Sequence, residues 1–354
     1  MRRMNKYLFI LGIFIFIGCK QTENQITADP YKIEGEKHLH NIKMLSEEGE
    51  NAEAYFSFDD KKLIYQSRHG DFQCDQIFTM NIDGSEKKLV STGLGRTTCS
   101  YFYPDGKQIM YASTHAADSS CPEPPDYSQG YVWKVYNTFE LYRADSNGSN
   151  IRVLVPYPGY DAEATISPLG NKIVFTSQRN GDLDIYSMNL DGTDLTQLTD
   201  VLGYDGGPFF SWDGKKIVYR SYHPKSYEQK QRYKKLLSDQ LIEPAKFQIW
   251  VMDADGKNKK QVTNNQYANF APFYHPDNKR IIFCSNLNSQ DPKRPDFNIW
   301  IMNEDGSGLA QVTFFNQFDG FPMFSSDGQK LVFASNRFNR NPHDTNVFIA
   351  DWVD

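Results

Sequence analysis

The chain predicts an all-β fold, a six-bladed β-propeller closed by an N-terminal strand that completes the last blade. Three observations predict it. A corner built on Asp, Gly or Asn recurs six times, each corner opens an apolar run that ends in Ser, and a third strand then runs into a second Asp-Gly-type turn before a short fourth segment. Four antiparallel strands at a period in the forties form a sheet that cannot bury both faces until neighbouring copies stack on it.

The first corners are Asp59-Asp60, Pro104-Asp105-Gly106, Pro168-Leu169-Gly170, Trp212-Asp213-Gly214, Pro276-Asp277-Asn278 and Ser326-Asp327-Gly328. Gly accepts positive φ without steric cost, and Asp hydrogen-bonds to its own turn, so both suit tight hairpins. The second strands follow at Leu63 to Ser67, Gln108 to Ser113, Lys172 to Ser177, Lys216 to Ser221, Arg280 to Ser285 and Lys330 to Ser335, rich in β-branched and aromatic residues. Third strands such as Asp184-Ile-Tyr-Ser-Met188, Gln248-Ile-Trp-Val-Met252 and Asn298-Ile-Trp-Ile-Met302 come next. Fourth, edge strands are expected at Lys87 to Ser91, Ile151 to Pro156, Leu195 to Thr199, Lys259 to Thr263 and Leu309 to Thr313. The sixth repeat runs out of chain after Asn346-Val-Phe-Ile-Ala350, and Ile42-Lys-Met-Leu-Ser46 has the fourth-strand pattern. It is expected to zip the ring shut and remove an open sheet edge.

The first residues are Met1-Arg-Arg-Met-Asn-Lys6, then an apolar run from Tyr7 to Ile17, then Gly18-Cys19. The run is short for a membrane span and its flanks are those of a signal peptide. Phe16-Ile-Gly-Cys19 resembles the bacterial lipoprotein box, which makes Cys19 the expected lipidation site. The domain reading is residues 1–18 as lipoprotein signal peptide, 19–38 as flexible tether and 39–354 as propeller. Lys20, with no Asp after the Cys, points to a lipid anchor in the outer membrane, facing the periplasm or the surface. A net charge of −6 offers no basic field for nucleic acid. An exported compartment permits one disulfide among Cys74, Cys99 and Cys121, whose pairing stays open, while Cys284 lies in an apolar strand as a buried free thiol.

All the long insertions fall on one face: Thr114 to Thr138, Tyr222 to Phe247, Asn286 to Phe297 and Arg337 to Thr345. Loops elaborated on one side of a rigid scaffold are where binding resides. In the second of these, Ser226 and Gln229 have capping-box spacing, and Tyr233, Leu236, Leu237 and Leu241 share the face of an expected helix that Pro244 ends. Aligning the repeats puts Asn51, Thr97, Asp161, Asp205, Asn269 and Asp319 at one position before the first strand, with Glu53 and Glu163 two residues deeper. These eight are the expected channel-mouth binding residues; capping of strand N–H groups is the structural alternative. His69, His115, His223 and His343 share the inserted face, but on separate blades, so no metal site and no cofactor are expected. Arg68, Arg179 and Arg337 are expected in inter-blade salt bridges or carbonyl contacts. No Gly-x-Ser-x-Gly elbow, His-Glu-x-x-His, phosphate loop or dinucleotide fingerprint occurs, and no catalytic residue is assigned.

Segments such as Ser211-Trp-Asp-Gly-Lys-Lys-Ile-Val-Tyr219, Ile249-Trp-Val-Met-Asp-Ala-Asp-Gly256 and Gln261-Val-Thr263 resemble the TolB-like propeller repeat, over nearly all of residues 39–354. Gly159-Tyr-Asp-Ala-Glu-Ala164, Gly203-Tyr-Asp-Gly-Gly-Pro208 and Phe318-Asp-Gly-Phe-Pro322 are similar to exported bacterial TolB-like proteins, some of them joined to a zinc aminopeptidase domain. The resemblance implies a propeller that binds protein or peptide in the cell envelope. The chain departs from the family's namesake in lacking room for its N-terminal α/β domain and in carrying a lipoprotein box. The expected function is therefore a lipid-anchored envelope scaffold engaging a protein or peptide partner, an outer-membrane complex among the candidates, through the inserted face and channel mouth. The alternative is a propeller enzyme: a metal-assisted lyase or hydrolase on oligosaccharide, or an accessory subunit of an envelope peptidase.

Overall fold

A computed structural model describes residues 29–291 and 293–354. The expected signal peptide, 1–18, and Cys19 lie outside the described residues.

Six four-stranded antiparallel sheets make six blades in a ring. Blade 1 holds Glu50–Phe56, Lys62–Arg68, Gln76–Asn81 and Lys88–Leu89. Blade 2 holds Thr97–Phe102, Gln108–Ser113, Glu140–Asp145 and Arg152–Val153, and blade 3 holds Asp161–Ile166, Lys172–Ser177, Asp184–Asn189 and Thr196–Gln197. Blade 4 comprises Tyr204–Phe210, Lys216–Tyr222, Gln248–Asp253 and Lys260–Gln261, and blade 5 comprises Asn269–Tyr274, Arg280–Ser285, Asn298–Asn303 and Ala310–Gln311. Blade 6 contains Asp319–Phe324, Lys330–Ser335 and Asn346–Trp352, and its outer strand is the N-terminal Leu39–Met44.

The closing strand pairs Leu39 with Trp352 and Met44 with Phe348, so it begins three residues before the expected Ile42. The other outer strands are only two residues long, shorter than expected, and largely exposed. A short edge offers little template for pairing with another chain. In every blade but blade 2, a Ser or Thr beyond the outer strand has its own task. The hydroxyls of Ser46, Ser91, Thr199, Thr263 and Thr313 accept from the N–H of Val347, Ile77, Ile185, Ile249 and Ile299 at 2.8–2.9 Å, where the ladder has lapsed.

Blade joins blade by a repeated backbone bond. The N–H groups of Asn51, Thr97, Asp161, Asp205, Asn269 and Asp319 donate to Thr345, Asp75, Phe139, Leu183, Phe247 and Phe297, each just ahead of the preceding blade's third strand, at 2.8–3.0 Å. Between blades the second and third strands bury their aliphatic and aromatic side chains, Ile64, Ile109, Phe175, Ile217, Ile281 and Phe348 among them. On the opposite face, four corners carry Gly at positive φ, but blades 1 and 5 place Asp60 (φ 55°) and Asn278 (φ 58°) there. Both use the side chain to hold the preceding blade: Asp60 accepts from Ser326, and Asn278 accepts from the Asp213 N–H at 3.0 Å.

Part of the expected tether is packed. Tyr31 lies edge-on to Phe338 and Phe348, and the Asp29 carboxylate accepts from the Ile42 N–H at 2.6 Å. Glu36 and Asp319 both grip Arg337, whose guanidinium is fully buried, at 2.8 and 2.6 Å. Residues 29–38, expected as part of the tether, thus include side chains packed on the propeller. Of the arginines after the second strands, Arg68 pairs with Glu50 and Arg179 with Asp161 inside their own blades rather than between blades, whereas Arg337 makes an expected carbonyl contact, to Tyr31 at 3.1 Å.

The helix forms over Tyr227–Ser238 with the capping box of Ser226 and Gln229, and it buries Tyr233, Leu236 and Leu237. Leu241, expected on the same helical face, instead opens the strand Leu241–Ile242, because Gln240 takes positive φ (58°) and ends the helix early. That strand pairs with Trp133–Lys134 from the other large insertion. The disulfide joins Cys74 to Cys121 and leaves Cys99 and the buried Cys284 free, as expected for Cys284.

Candidate functional site: a covered central channel

Each first strand carries a bulge, and the bulged residue faces the channel. These are Glu53, Cys99, Glu163, Gly207, Ala271 and Phe321, all at φ between 48° and 59°. A bulge inserts an unpaired residue and re-aims its side chain. The six line a chamber of about 30 Å³, room for about one water. Two residues further along, Tyr55 of blade 1 meets Phe209 of the opposite blade 4 at 5.5 Å between ring centroids, so aromatic rings close the axis.

The chamber is electrostatically lopsided. Glu163 accepts from Thr176 Oγ1 at 2.7 Å, Tyr204 Oη at 2.8 Å and the Gly207 N–H at 2.9 Å, and it ion-pairs with Arg220. Gly206 and Gly207 make room for this cluster: a Cβ on Gly206 would stand 2.5 Å from Glu163 Oε2, and one on Gly207 2.9 Å from the Arg220 guanidinium. Glu53, its counterpart in blade 1, has a buried Oε2 with no hydrogen-bond partner among the described residues. Burial pushes the Glu53 carboxyl up to about 7, an effect partly offset by the Cys99 thiol and Arg220. Burial also holds the Cys99 thiol well above its ordinary range, with the Glu53 and Glu163 charges adding to the effect. That keeps the thiol protonated and unreactive.

The chamber is roofed on the inserted side. The guanidinium of Arg220 lies 5.3 Å from the ring centroid of Trp133, which also packs edge-on to Phe247 and Phe270 at 5.7 and 6.0 Å. An insertion that leaves blade 2 thus reaches blades 4 and 5. Val132, Val135 and Tyr136 pack down with Trp133. Tyr127 and Tyr131 on the same insertion, and Tyr227 at the helix start, stay 63, 64 and 73% exposed. Arg232 of the helix donates to the Gln129 carbonyl at 3.2 Å and ties the two insertions together.

The other end of the channel is open. Below the Tyr55–Phe209 contact, a cavity of about 290 Å³ widens toward the tight turns, walled by Phe58, Tyr101, Phe209, Trp212, Phe273 and Met323.

The expected ring of Asn51, Thr97, Asp161, Asp205, Asn269 and Asp319 does form, but all six are buried and spend their side chains in the wall. Asn51 accepts from Ser67 at 2.7 Å and Asn269 from Ser285 at 2.9 Å, while Thr97 donates to the Asp75 carbonyl at 2.8 Å. Asp161 pairs with Arg179, Asp205 with His223, and Asp319 with Arg337. These partners are mainly side chains of the same blade, and none of the six uses a side-chain oxygen to cap a backbone N–H as the alternative expected. Glu53 and Glu163 alone of the eight reach the chamber. His69 and His115 bond Ser67 and Ser113 at 2.7 and 2.8 Å, and His343 is exposed. Among the described residues no group of three His, Cys, Asp or Glu converges as for a metal. Cys99, expected only as a disulfide candidate, together with Arg220 and the aromatic wall, joins the channel without being expected there from the sequence. The repeat alignment, carried two to seven residues past the ring, contains the bulge and wall positions, and Arg220 stands out as a charge inside an apolar strand.

No family model and no curated protein matches the chain. Solved structures do match. A putative TolB from Agrobacterium tumefaciens superposes with a TM-score of 0.55 at 20% identity, over 86% of this chain and 91% of that one. The fold is TolB-like. TolB from Acinetobacter baumannii follows at TM-score 0.54 and 18% identity, with 86% of this chain covering 63% of that one. An oligogalacturonate lyase in complex with manganese gives TM-score 0.51 at 13% identity, over 88% and 93%. At these identities the TolB-like likeness is one of fold, and the fold is shared by binding proteins and enzymes.

Proposed function

We propose that this TolB-like propeller is an exported, Cys19-lipidated outer-membrane protein that holds a protein partner on its inserted face. The observation that carries this reading is the roof. Two insertions from different blades are joined by a two-stranded sheet, anchored by Cys74–Cys121, and present Tyr127, Tyr131 and Tyr227 to solvent. Exposed tyrosines on a rigid support give large contact area at small entropic cost, the composition found at interface centres. The likeness of the repeats to envelope propellers supports the location. The six ring residues serve the reading by holding the blades rigid, and Glu53 and Glu163 lie beneath the roof.

Two measurements test the reading. Metabolic labelling with a radioactive fatty acid is expected to mark the wild type and not Cys19→Ser; equal labelling overturns the anchor. Capture from native envelopes is expected to recover one partner stoichiometrically with wild type. At least tenfold less is expected with a Tyr127→Ser, Tyr131→Ser, Tyr227→Ser triple variant of unchanged melting temperature. Equal recovery by the triple variant overturns the surface.

A further inference from the structure

The open end of the channel lies on the face opposite the roof, and its chemistry is separate from that of the roof. Its wall is a chain of edge-to-face rings. Phe58 meets Tyr101 at 6.3 Å and 87°, Phe209 meets Phe273 at 5.2 Å and 76°, and Trp212 meets Phe273 at 6.0 Å and 86°. These aromatic side chains together line the space. At about 290 Å³ the cavity is at the small end of ligand pockets, and the Tyr55–Phe209 contact gives it a floor.

Asp60 is the single charged side chain lining it. The carboxylate is held by neutral donors, the N–H of Ser326 at 3.0 Å and the Ser326 hydroxyl, and no Lys, Arg or His among the described residues ion-pairs with it. Its negative charge therefore stays uncompensated at the rim of an aromatic pocket. Four of the six blades place Gly at this corner and blade 5 places the neutral Asn278, so blade 1 alone puts a charge there, on a side chain that also bonds Ser326 of the preceding blade. An aromatic enclosure with one carboxylate is complementary to an organic cation: the ring quadrupoles attract the cation and the apolar wall takes its carbon substituents.

We infer that this funnel is a binding site for a small alkylammonium group, with Trp212, Phe209 and Phe273 as the cage and Asp60 as the counter-ion. Such a group is carried both by free quaternary amines and by a peptide's N-terminus.

Calorimetric titration of the full chain with choline and with its neutral carbon isostere, 3,3-dimethylbutan-1-ol, tests the site. A parallel pair, a Phe-Gly-Gly peptide with a free or an acetylated N-terminus, separates the two sources. At least tenfold tighter binding of choline than of the isostere, or of the free peptide than of the acetylated one, is expected. Asp60→Asn, which keeps a side chain tolerated at positive φ, is expected to abolish that preference, and Trp212→Ala to weaken binding of the preferred cation at least fivefold. Equal binding of charged and neutral members of both pairs overturns the inference. So does saturable binding that survives Trp212→Ala unchanged, or the absence of any binding. None of these outcomes bears on the tyrosine platform of the other face.

Discussion

Glu53 and Glu163 occupy one position in two blades and live differently. Glu163 has an arginine, two hydroxyls and an N–H, whereas Glu53 keeps an unpartnered buried oxygen and a carboxyl raised to about 7. The folded state therefore binds a proton more tightly than the unfolded chain does. Stability from this group is fully present below the ordinary carboxyl range and is lost as pH rises toward about 7. Glu53→Gln is expected to be more stable than wild type at pH 8, by up to about 3 kcal/mol, and to gain little at pH 4.5. Thermal melts at the two values check this, and a gain at both equally argues against burial as the cause. Arg337 presents the opposite case, a buried cation held by two carboxylates. Arg337→Met strands both, and denaturant unfolding is expected to show a loss of about 3–5 kcal/mol. The pairing of Arg337 with Asp319 spans 18 residues and was within reach of the repeat pattern; that with Glu36 spans 301 and was not.

At the scale of elements, local signals carried well and distant ones did not. Asp-Gly corners, the second strands and the capping box at Ser226 depend on neighbours within a few residues, and the structure contains them as expected. The strand Leu241–Ile242 depends on Trp133, over a hundred residues earlier, and no local pattern marks that pairing. The disulfide is likewise a choice among cysteines that only the packing of the roof decides. It crosslinks residues 47 apart, and Cys121→Ser is expected to lower stability by about 2–4 kcal/mol. Limited proteolysis is expected to cut first between residues 114 and 130 in that variant; an unchanged cleavage pattern would show that the roof is held without the bridge.

For the whole molecule, ring closure is a property of the period and was legible. Removing residues through 45 strips Leu39, Ile42 and Leu45 from the core and leaves Asn346–Trp352 as an open edge. Size-exclusion chromatography of that truncation is expected to show aggregate rather than monomer. What the channel holds was less legible, because contacts such as Tyr55 with Phe209 join opposite blades and arise only when the ring shuts. The consequence is a two-sided molecule, roofed and tyrosine-bearing on one face and funnelled on the other. A photo-crosslinking residue placed at Tyr131 on the roof, or at Leu195 on the outer rim of the opposite face, tests that division most directly in intact cells. The roof position is predicted to yield one discrete adduct and the rim position none; an adduct from the rim alone, or equally from both, would contradict the assignment of partner binding to the inserted face.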